Sequence, residues 1–158
     1  MPPIGLSKSR IIEGLQCPRR LWLKVYKPEL AEWARQTQDI LQAGLDVHDV
    51  FRGLYPGGVL IEGDDDLGTA MEETSRHMTN GSRQIFEGTF AHEGVLIRAD
   101  FLEKRGRSFR VHEVKSSATV KEHHHTDTAI QYWVLSGCGL PIKAFNVAHN
   151  YDLPLVNP

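Results

Sequence analysis

The chain has 158 residues, of which 41% are hydrophobic and 24% charged, and this matches one ordinary globular domain. No stretch approaches the roughly 20 apolar residues of a membrane-spanning helix, and residues 1–5 lack the blocks of a secretory signal. The two cysteines, Cys17 and Cys138, are too few for the disulfide framework of a small secreted protein. We therefore expect one soluble, cytoplasmic domain over residues 1–158, with reduced thiols and no membrane partner.

The charges are unevenly distributed along the chain. The net charge of -2 does not by itself indicate a nucleic-acid partner. However, residues 1–31 contain six Lys or Arg against two acids, and residues 101–121 repeat that excess, whereas residues 32–73 contain ten acids against two arginines. Since phosphate contacts come from local basic patches, this segregation is compatible with a nucleic-acid partner despite the net charge. An ordinary solvated surface explains the same charges equally well.

The basic N-terminal segment, residues 1–31, predicts two short helices. Ser7 can cap the first, over residues 8–15, and Pro18 ends it because proline disfavours helical backbone in the residue before it. A second helix begins near Pro18. Three apolar residues at helical spacing in this second helix are expected to pack against the core: Leu21, Trp22 and Val25.

The second segment, residues 32–80, is predicted to be mainly helical and contains His48. Apolar residues between Trp33 and Tyr55 recur at three- and four-residue steps, which indicates a long amphipathic helix. A short strand over Val59–Ile61 and a helix over Leu67–Met78 should follow.

The third segment, residues 81–150, predicts the sheet. Runs with the two-residue period of strands are separated by turns short enough for hairpins, so these strands should form an antiparallel meander. A later helix and strand can return to the sheet by a crossover. The predicted elements are strands Gln84–Phe90, Val95–Glu103, Ser108–Lys115 and Ile142–His149, with a helix over Glu122–Ser136 before the last strand. Together they indicate an α/β fold, a mixed sheet of about four main strands flanked by the His48 helix and the Gln131 helix.

Two carboxylates and a lysine are predicted to meet in the meander. Residues two apart in a strand share a face, so Glu113 and Lys115 project together, while Val114 offers only its backbone there. A hairpin turning near Gly106 brings Asp100 opposite the Glu113 region. Such a set suits Mg²⁺ or Mn²⁺ and metal-assisted phosphodiester hydrolysis. Spacing alone nevertheless favours a plain surface ion pair between Glu113 and Lys115.

Four sequence motifs carry a resemblance that changes this balance. The residues Ile97-Arg98-Ala99-Asp100 and then Val111-His112-Glu113-Val114-Lys115-Ser116 resemble the D…ExK signature of the PD-(D/E)xK nuclease superfamily. Gly44-Leu45-Asp46-Val47-His48 and Gln131-Tyr132-Trp133 resemble the histidine and glutamine motifs of its RecB-like exonuclease branch. The segments over residues 6–10 and 17–23 are similar to the start of RecB-like bacterial proteins related to the CRISPR adaptation exonucleases. The resemblance covers about residues 6–149.

This resemblance implies a restriction-endonuclease-like core and an Mg- or Mn-dependent deoxyribonuclease, most simply an exonuclease. By the same resemblance His48, Asp100 and Glu113 bind the metal with the Val114 carbonyl, Lys115 is the catalytic lysine, and Gln131 positions the site. Taken alone, His48 also fits a core histidine and Gln131 a solvated helix residue. We interpret Tyr132 and Trp133 as core residues. Glu87 is either an acid that supports the metal ligands or a charge at the sheet edge, and we favour the sheet edge.

The expected partner is DNA, as single strands or duplex ends. Phosphate contacts are expected from Arg19, Arg20, Lys24 and Arg107, and a larger DNA-processing complex is a further candidate partner. Oligomeric state stays open. The CRISPR-related proteins hold an iron–sulfur cluster with four cysteines, and only Cys17 has a counterpart here, so no iron–sulfur cluster is expected.

Two other functions compete with the nuclease. The first is a non-cleaving nucleic-acid-binding module of the same fold. The second is a zinc hydrolase that uses His123-His124-His125. Consecutive helical residues point about 100 degrees apart and cannot all face one ion, so we expect these histidines to be exposed near the site instead.

Overall fold

The computed structural model describes residues 5–30, 47–62, 66–117 and 122–149. The first part of the predicted long helix and Gly44-Leu45-Asp46 of the histidine motif lie outside the described residues. Within the described ranges the chain is α/β, with helices packed on a mixed sheet of six strands. None of these helices has both the length and the apolar character needed to cross a bilayer.

The helices begin and end close to the predicted positions. The Ser7 side chain caps the first helix by accepting a hydrogen bond from the Arg10 backbone N–H at 3.3 Å. Asp66 caps a later helix by accepting from the Gly68 N–H at 2.9 Å. Such caps satisfy backbone donors that have no partner within the helix. The helices are α1 (Lys8–Gln16), α2 (Pro18–Tyr26), α3 (residues 47–53), α4 (Leu67–Thr79) and α5 (Glu122–Gly137), with a 3₁₀ turn at Pro28–Leu30.

The sheet contains the four predicted main strands and two very short ones. Its strands are β1 (Leu6–Ser7), β2 (Val59–Leu60), β3 (Gln84–His92), β4 (Val95–Arg105), β5 (Ser108–Lys115) and β6 (Ile142–His149). The order is β2-β3-β4-β5-β6, and β1 pairs with β4. Strands β3, β4 and β5 form the predicted antiparallel meander, and β6 returns parallel to β5 after α5. The predicted α/β class is therefore confirmed.

One edge of β4 is shared by two different strands. The parallel ladder with β1 ends at the pair Ser7↔Leu96, and the antiparallel ladder with β5 ends at the pair Phe101↔His112. The chain leaves β1 directly into α1, which begins at Lys8. The fork between the two ladders therefore contains Asp100 of β4, and it brings the start of α1 to the same place.

Helices cover both faces of the sheet. Val114 packs with Phe51 of α3, whereas the neighbouring Glu113 contacts Gln131 of α5. Because consecutive strand residues point to opposite faces, α3 and α5 lie on opposite sides. The larger buried cluster joins Val134 and Leu135 of α5 to apolar residues of β3, β4 and β5. Burial of these side chains is what holds α5 against the sheet.

Three aromatic residues predicted to be in the core are exposed instead. Trp22 is 52% exposed, Tyr132 52% and Trp133 43%. In α5 the buried positions include Gln131, Val134 and Leu135, at three- and four-residue spacing, so this stripe turns the intervening Tyr132 and Trp133 outward. In α2, Leu21 and Val25 are partly buried, whereas Trp22 stays exposed beside them.

Candidate active site

Three carboxylates lie in one row across the meander. The pairs Phe86↔Phe101 and Gly88↔Ala99 flank Glu87 and Asp100, which therefore face each other across β3 and β4. The ladder between β4 and β5 ends at the pair Phe101↔His112. The next residues along, Asp100 and Glu113, therefore face each other, as the hairpin geometry predicts. Adjacent strands lie about 5 Å apart, so the row concentrates negative charge in a small volume.

The backbone is unusual at this row. Glu87 has a φ of 57°, in the left-handed region that non-glycine residues rarely adopt. Such a conformation is costly and is found preferentially at functional sites. On the other side of Asp100, its Oδ2 accepts a hydrogen bond from the Val114 N–H at 2.7 Å. At the fork, the Asp100 carboxylate thus accepts the hydrogen bond that a backbone carbonyl of β4 would accept in a continuous ladder.

His48 completes a group of three metal-ligand side chains, which we call the acidic triad: His48, Glu87 and Asp100. Its Nδ1 lies 3.5 Å from Glu87 Oε1, and its Nε2 lies 3.9 Å from Asp100 Oδ2. One potential ligand atom from each of the three lies within 4.8 Å of the others. An imidazole nitrogen with two carboxylate oxygens is a donor set that suits a divalent cation such as Mn²⁺.

The electrostatics of the acidic triad favour a cation. Burial, followed by the charge of Glu113, raises the pKa of Asp100 to about 7. The hydrogen bond with Glu87 raises the pKa of His48, despite the opposing effect of burial. Arg98 Nε lies 3.7 Å from Glu87 Oε2 and partly balances that carboxylate. A divalent ion would favour the ionised form of Asp100, which burial and neighbouring acids disfavour.

A second group, which we call the paired quartet, consists of Lys8, Glu113, Lys115 and Asp127. Glu113 Oε1 accepts from Lys8 Nζ at 2.9 Å and from Lys115 Nζ at 2.6 Å. The same two ammonium groups bracket Asp127, with Lys8 Nζ 3.3 Å from Oδ1 and Lys115 Nζ 2.6 Å from Oδ2. Two positive and two negative side chains therefore balance each other.

Glu113 is the most enclosed member of this quartet. Only 1% of it is exposed, and its second oxygen, Oε2, accepts a hydrogen bond from Gln131 Nε2. Burial opposes its ionisation, but the ammonium groups of Lys8 and Lys115 outweigh burial and lower the pKa of Glu113 to about 2. Although burial opposes it, Glu113 raises the pKa of Lys115, as does the hydrogen bond to Asp127. Glu113 is therefore ionised and Lys115 protonated at neutral pH.

The structure brings together most of the residues singled out in the sequence. Asp100, Glu113, Lys115, Gln131 and His48 lie at the fork. Val114 contributes its N–H there, and its carbonyl faces the same strand because both groups of a strand residue point to one neighbour. The ligand roles of Glu113 and of the Val114 carbonyl stay predictions.

The interpretation of Glu87 as a sheet-edge charge is wrong. Strand β3 has β2 on one side and β4 on the other, so Glu87 lies in the interior of the sheet. The signal was present in the sequence. The turn between β3 and β4 contains only Glu93 and Gly94, so His92 pairs with Val95, and counting back places Glu87 opposite Asp100.

Sequence reasoning missed Lys8 and Asp127. Asp127 lies four residues before Gln131 in α5 and so shares its helix face, which is a usable signal once Gln131 is placed in the site. Lys8 has no comparable signal, because it reaches the site through the pairing of β1 with β4. In the sequence it is one of six basic residues in a basic segment.

The predicted phosphate-binding residues lie on two separate parts of the fold, α2 and the turn after β4. Arg20 and Lys24 both pair with Glu13, and Arg19 is exposed on the same helix. Arg107 lies in the turn after β4, and the strand from Asp100 to that turn spans roughly 20 Å. Arg107 is therefore too far away to contact a phosphate held at Asp100.

The histidine run also differs from expectation, because His124 is buried, while His125 is exposed. The His123 side chain lies outside the described residues. Among the side chains that the structure describes, the acidic triad is the group with metal-site geometry.

No protein-family model matches the sequence, and no curated protein matches it significantly. What the site does must therefore be judged from its own chemistry. It combines donors for a divalent cation with a cationic lysine beside them, and both are set into the interior of a sheet.

Proposed function

We propose that this protein is an Mn²⁺- or Mg²⁺-dependent nuclease that hydrolyses phosphodiester bonds of nucleic acid, with DNA as the preferred substrate. The observation that carries the proposal is that two charge arrangements meet at one fork of the sheet, where Asp100 of the triad faces Glu113 of the quartet. The acidic triad offers cation ligands, and the quartet holds a protonated Lys115 against Glu113. The resemblance to RecB-like exonucleases supports DNA and supports attack from a strand end. A cytoplasmic location is part of the proposal.

The residues that would hold the metal are those of the acidic triad. The donor set fits, since it offers two carboxylates and an imidazole, and a bound cation would reverse the rise in the pKa of Asp100 to about 7 that burial and the charge of Glu113 cause. When bound, a divalent ion lowers the pKa of a coordinated water and offsets charge on the phosphate. Glu113 already has hydrogen bonds to both oxygens, which supports a role in holding Lys115.

Lys115 acts as a fixed cation in this proposal. An ammonium group has three N–H donors, and Glu113 and Asp127 accept two of them. Among the residues that the structure describes, no acceptor is assigned to the third, which would contact the attacking water or a phosphate oxygen. Because its two carboxylate partners raise the pKa of Lys115, the group stays protonated at neutral pH and cannot be the general base. Its contribution is to stabilise negative charge in the transition state.

Cleavage assays test this function directly. End-labelled single-stranded DNA, duplex DNA and RNA of one sequence would be incubated with Mn²⁺, Mg²⁺, Zn²⁺ or EDTA. We expect metal-dependent cleavage by the wild type and its loss in Asp100→Ala and Lys115→Ala. The matched control is Lys143→Ala, which removes an exposed lysine from β6.

Three outcomes would contradict the proposal in different ways. Metal-dependent binding without cleavage of any substrate would favour the non-cleaving module. Activity with zinc alone would favour a zinc hydrolase. Full activity in both site variants would place the chemistry elsewhere in the chain.

A further inference from the structure

Next to the candidate active site, α1 and α2 form a shallow groove with an apolar floor, which we call the α1–α2 groove. It has a volume of about 270 Å³. Its lining includes Leu6, Arg10, Pro18, Leu21, Trp22 and Tyr26. The groove is therefore built from the same N-terminal segment that delivers Lys8 to the site.

Two aromatic rings are presented together in this groove. Trp22 and Tyr26 are one helical turn apart on α2, with ring centroids 5.5 Å apart and planes inclined at 35°. They are 52% and 45% exposed, although large aromatic side chains usually gain most by burial. Adjacent exposed rings of this kind indicate a binding surface rather than core packing.

A basic residue lines the groove, and others lie nearby on the same helix as the rings. Arg10 lines the groove, and Arg19, Arg20 and Lys24 lie on α2 itself. Glu13 pairs with Arg20 and Lys24, so it offsets only part of this charge. Aromatic rings among basic side chains are how proteins hold single-stranded nucleic acid, since the rings stack on bases and the cations contact phosphates. An anionic, aromatic ligand thus matches this groove in both respects.

The groove lies close to the candidate active site. Leu6 and Arg10 each lie two residues from Lys8, and Lys8 Nζ contacts Glu113 at 2.9 Å. Two residues of chain span at most about 7 Å. The nucleotides next to one held at the fork are therefore within reach of the groove.

We propose that the α1–α2 groove is a subsite for unpaired bases of a single-stranded nucleic acid, with Trp22 and Tyr26 as the stacking platform. The inference rests on the proposed function and deepens it, because it names the form of substrate that the site receives. In a duplex the base faces are already stacked on each other, so only an unpaired end can use the rings. Since every base has a stacking face, little sequence preference follows.

Binding of oligonucleotides with and without bases tests the proposal. Anisotropy of a labelled thymidine oligonucleotide would be compared with an abasic oligonucleotide of equal length, in EDTA so that neither is cleaved. We expect the thymidine strand to bind the wild type about tenfold or more tighter than the abasic strand. Trp22→Ala combined with Tyr26→Ala should remove that difference.

A matched pair of exposed aromatics on α5 supplies the control. Trp133→Ala combined with Tyr132→Ala removes the same two ring types elsewhere on the surface and should leave the preference for bases intact. The chain has three tryptophans, so Trp33→Phe with Trp133→Phe leaves Trp22 as the sole tryptophan fluorophore. Its emission should be quenched by the thymidine strand and not by the abasic strand.

Equal binding of both strands by the wild type would overturn the proposal, as would quenching by duplex DNA as strong as by single strands. A wild type that cleaves DNA, with an unchanged KM in the Trp22→Ala and Tyr26→Ala variant, would also overturn it while leaving the nuclease function intact. Conversely, ring-dependent binding of bases without metal-dependent cleavage would support the subsite and reject the nuclease.

Discussion

The acidic triad and the paired quartet are neighbours in the fold, yet they balance charge in opposite ways. In the quartet, two ammonium groups neutralise two carboxylates, and the pKa of Glu113 falls to about 2. In the triad, Asp100 faces other acids in a buried position, and its pKa rises to about 7. Both carboxylates lie in the same row of the sheet, so their difference comes from the partners that tertiary packing supplies. We therefore expect the metal cation to bind the triad, and Lys115 of the quartet to act as the fixed positive charge.

Removal of the Asp100 charge should have the largest effect. Asp100→Asn keeps the size of the side chain and its hydrogen-bond acceptor but removes a ligand charge from the triad. We expect cleavage to fall by at least about 100-fold and Mn²⁺ affinity to fall with it. End-labelled substrate measures the first, and Mn²⁺ titration by calorimetry measures the second. Loss of cleavage with unchanged Mn²⁺ affinity would move the metal away from the triad.

Replacement of Lys115 should distinguish the role of the quartet from that of the triad, because it should lower the cleavage rate without lowering Mn²⁺ affinity. Lys115→Met preserves the aliphatic stem and removes the ammonium, so cleavage should fall by about 100-fold through kcat. Mn²⁺ affinity should change little, since Lys115 belongs to the quartet. Single-turnover kinetics at saturating Mn²⁺ would show this. If added Mn²⁺ restored the rate, the lysine would be acting on the metal site rather than on the substrate.

Loss of Lys8 should reduce stability more than loss of an exposed lysine. Lys8→Met leaves the buried Glu113 and Asp127 with one ammonium instead of two, which should lower the free energy of unfolding by about 1 to 3 kcal/mol. Lys24→Met breaks a surface pair with Glu13 and should lower it by less than about 1 kcal/mol. Urea denaturation compares the two variants, and equal losses would mean that Lys8 is not part of a buried pair.

A further expected effect is on the pH dependence of stability without metal. The pKa of Asp100 is raised from 3.8 to about 7, so between those pH values the folded protein binds a proton that the unfolded chain has released. Its contribution therefore falls as pH rises. Glu113 has a lowered pKa, so its contribution is present above pH 4.5 and is lost as pH falls towards 2.

Asp100→Asn should consequently stabilise the metal-free protein at pH 8 relative to wild type and have little effect near pH 4. Urea titrations in EDTA at both pH values measure this difference. An Asn variant that is less stable than wild type at pH 8 would contradict the raised pKa of Asp100. Mn²⁺ should stabilise only the wild type.

Much of the sheet and part of the site follow from local pattern. The alternation of apolar residues predicts β3, β4 and β5, and short turns predict that they form hairpins. Register in a hairpin follows from counting, which places Asp100 opposite Glu113 and, with the two-residue turn at Glu93-Gly94, Glu87 opposite Asp100. The row of carboxylates can thus be predicted from the sequence of the β3–β5 meander alone.

Local pattern fails where contacts join distant segments. Lys8 and Glu113 are 105 positions apart, and they meet only because two residues of β1 pair beside β4. A two-residue strand is too short to show periodicity. Likewise, the apolar character of Tyr132 and Trp133 suggested core, but the docking of α5 through Val134 and Leu135 turned them outward. Side-chain type predicts a tendency to be buried, whereas the packing of whole elements decides which residues are.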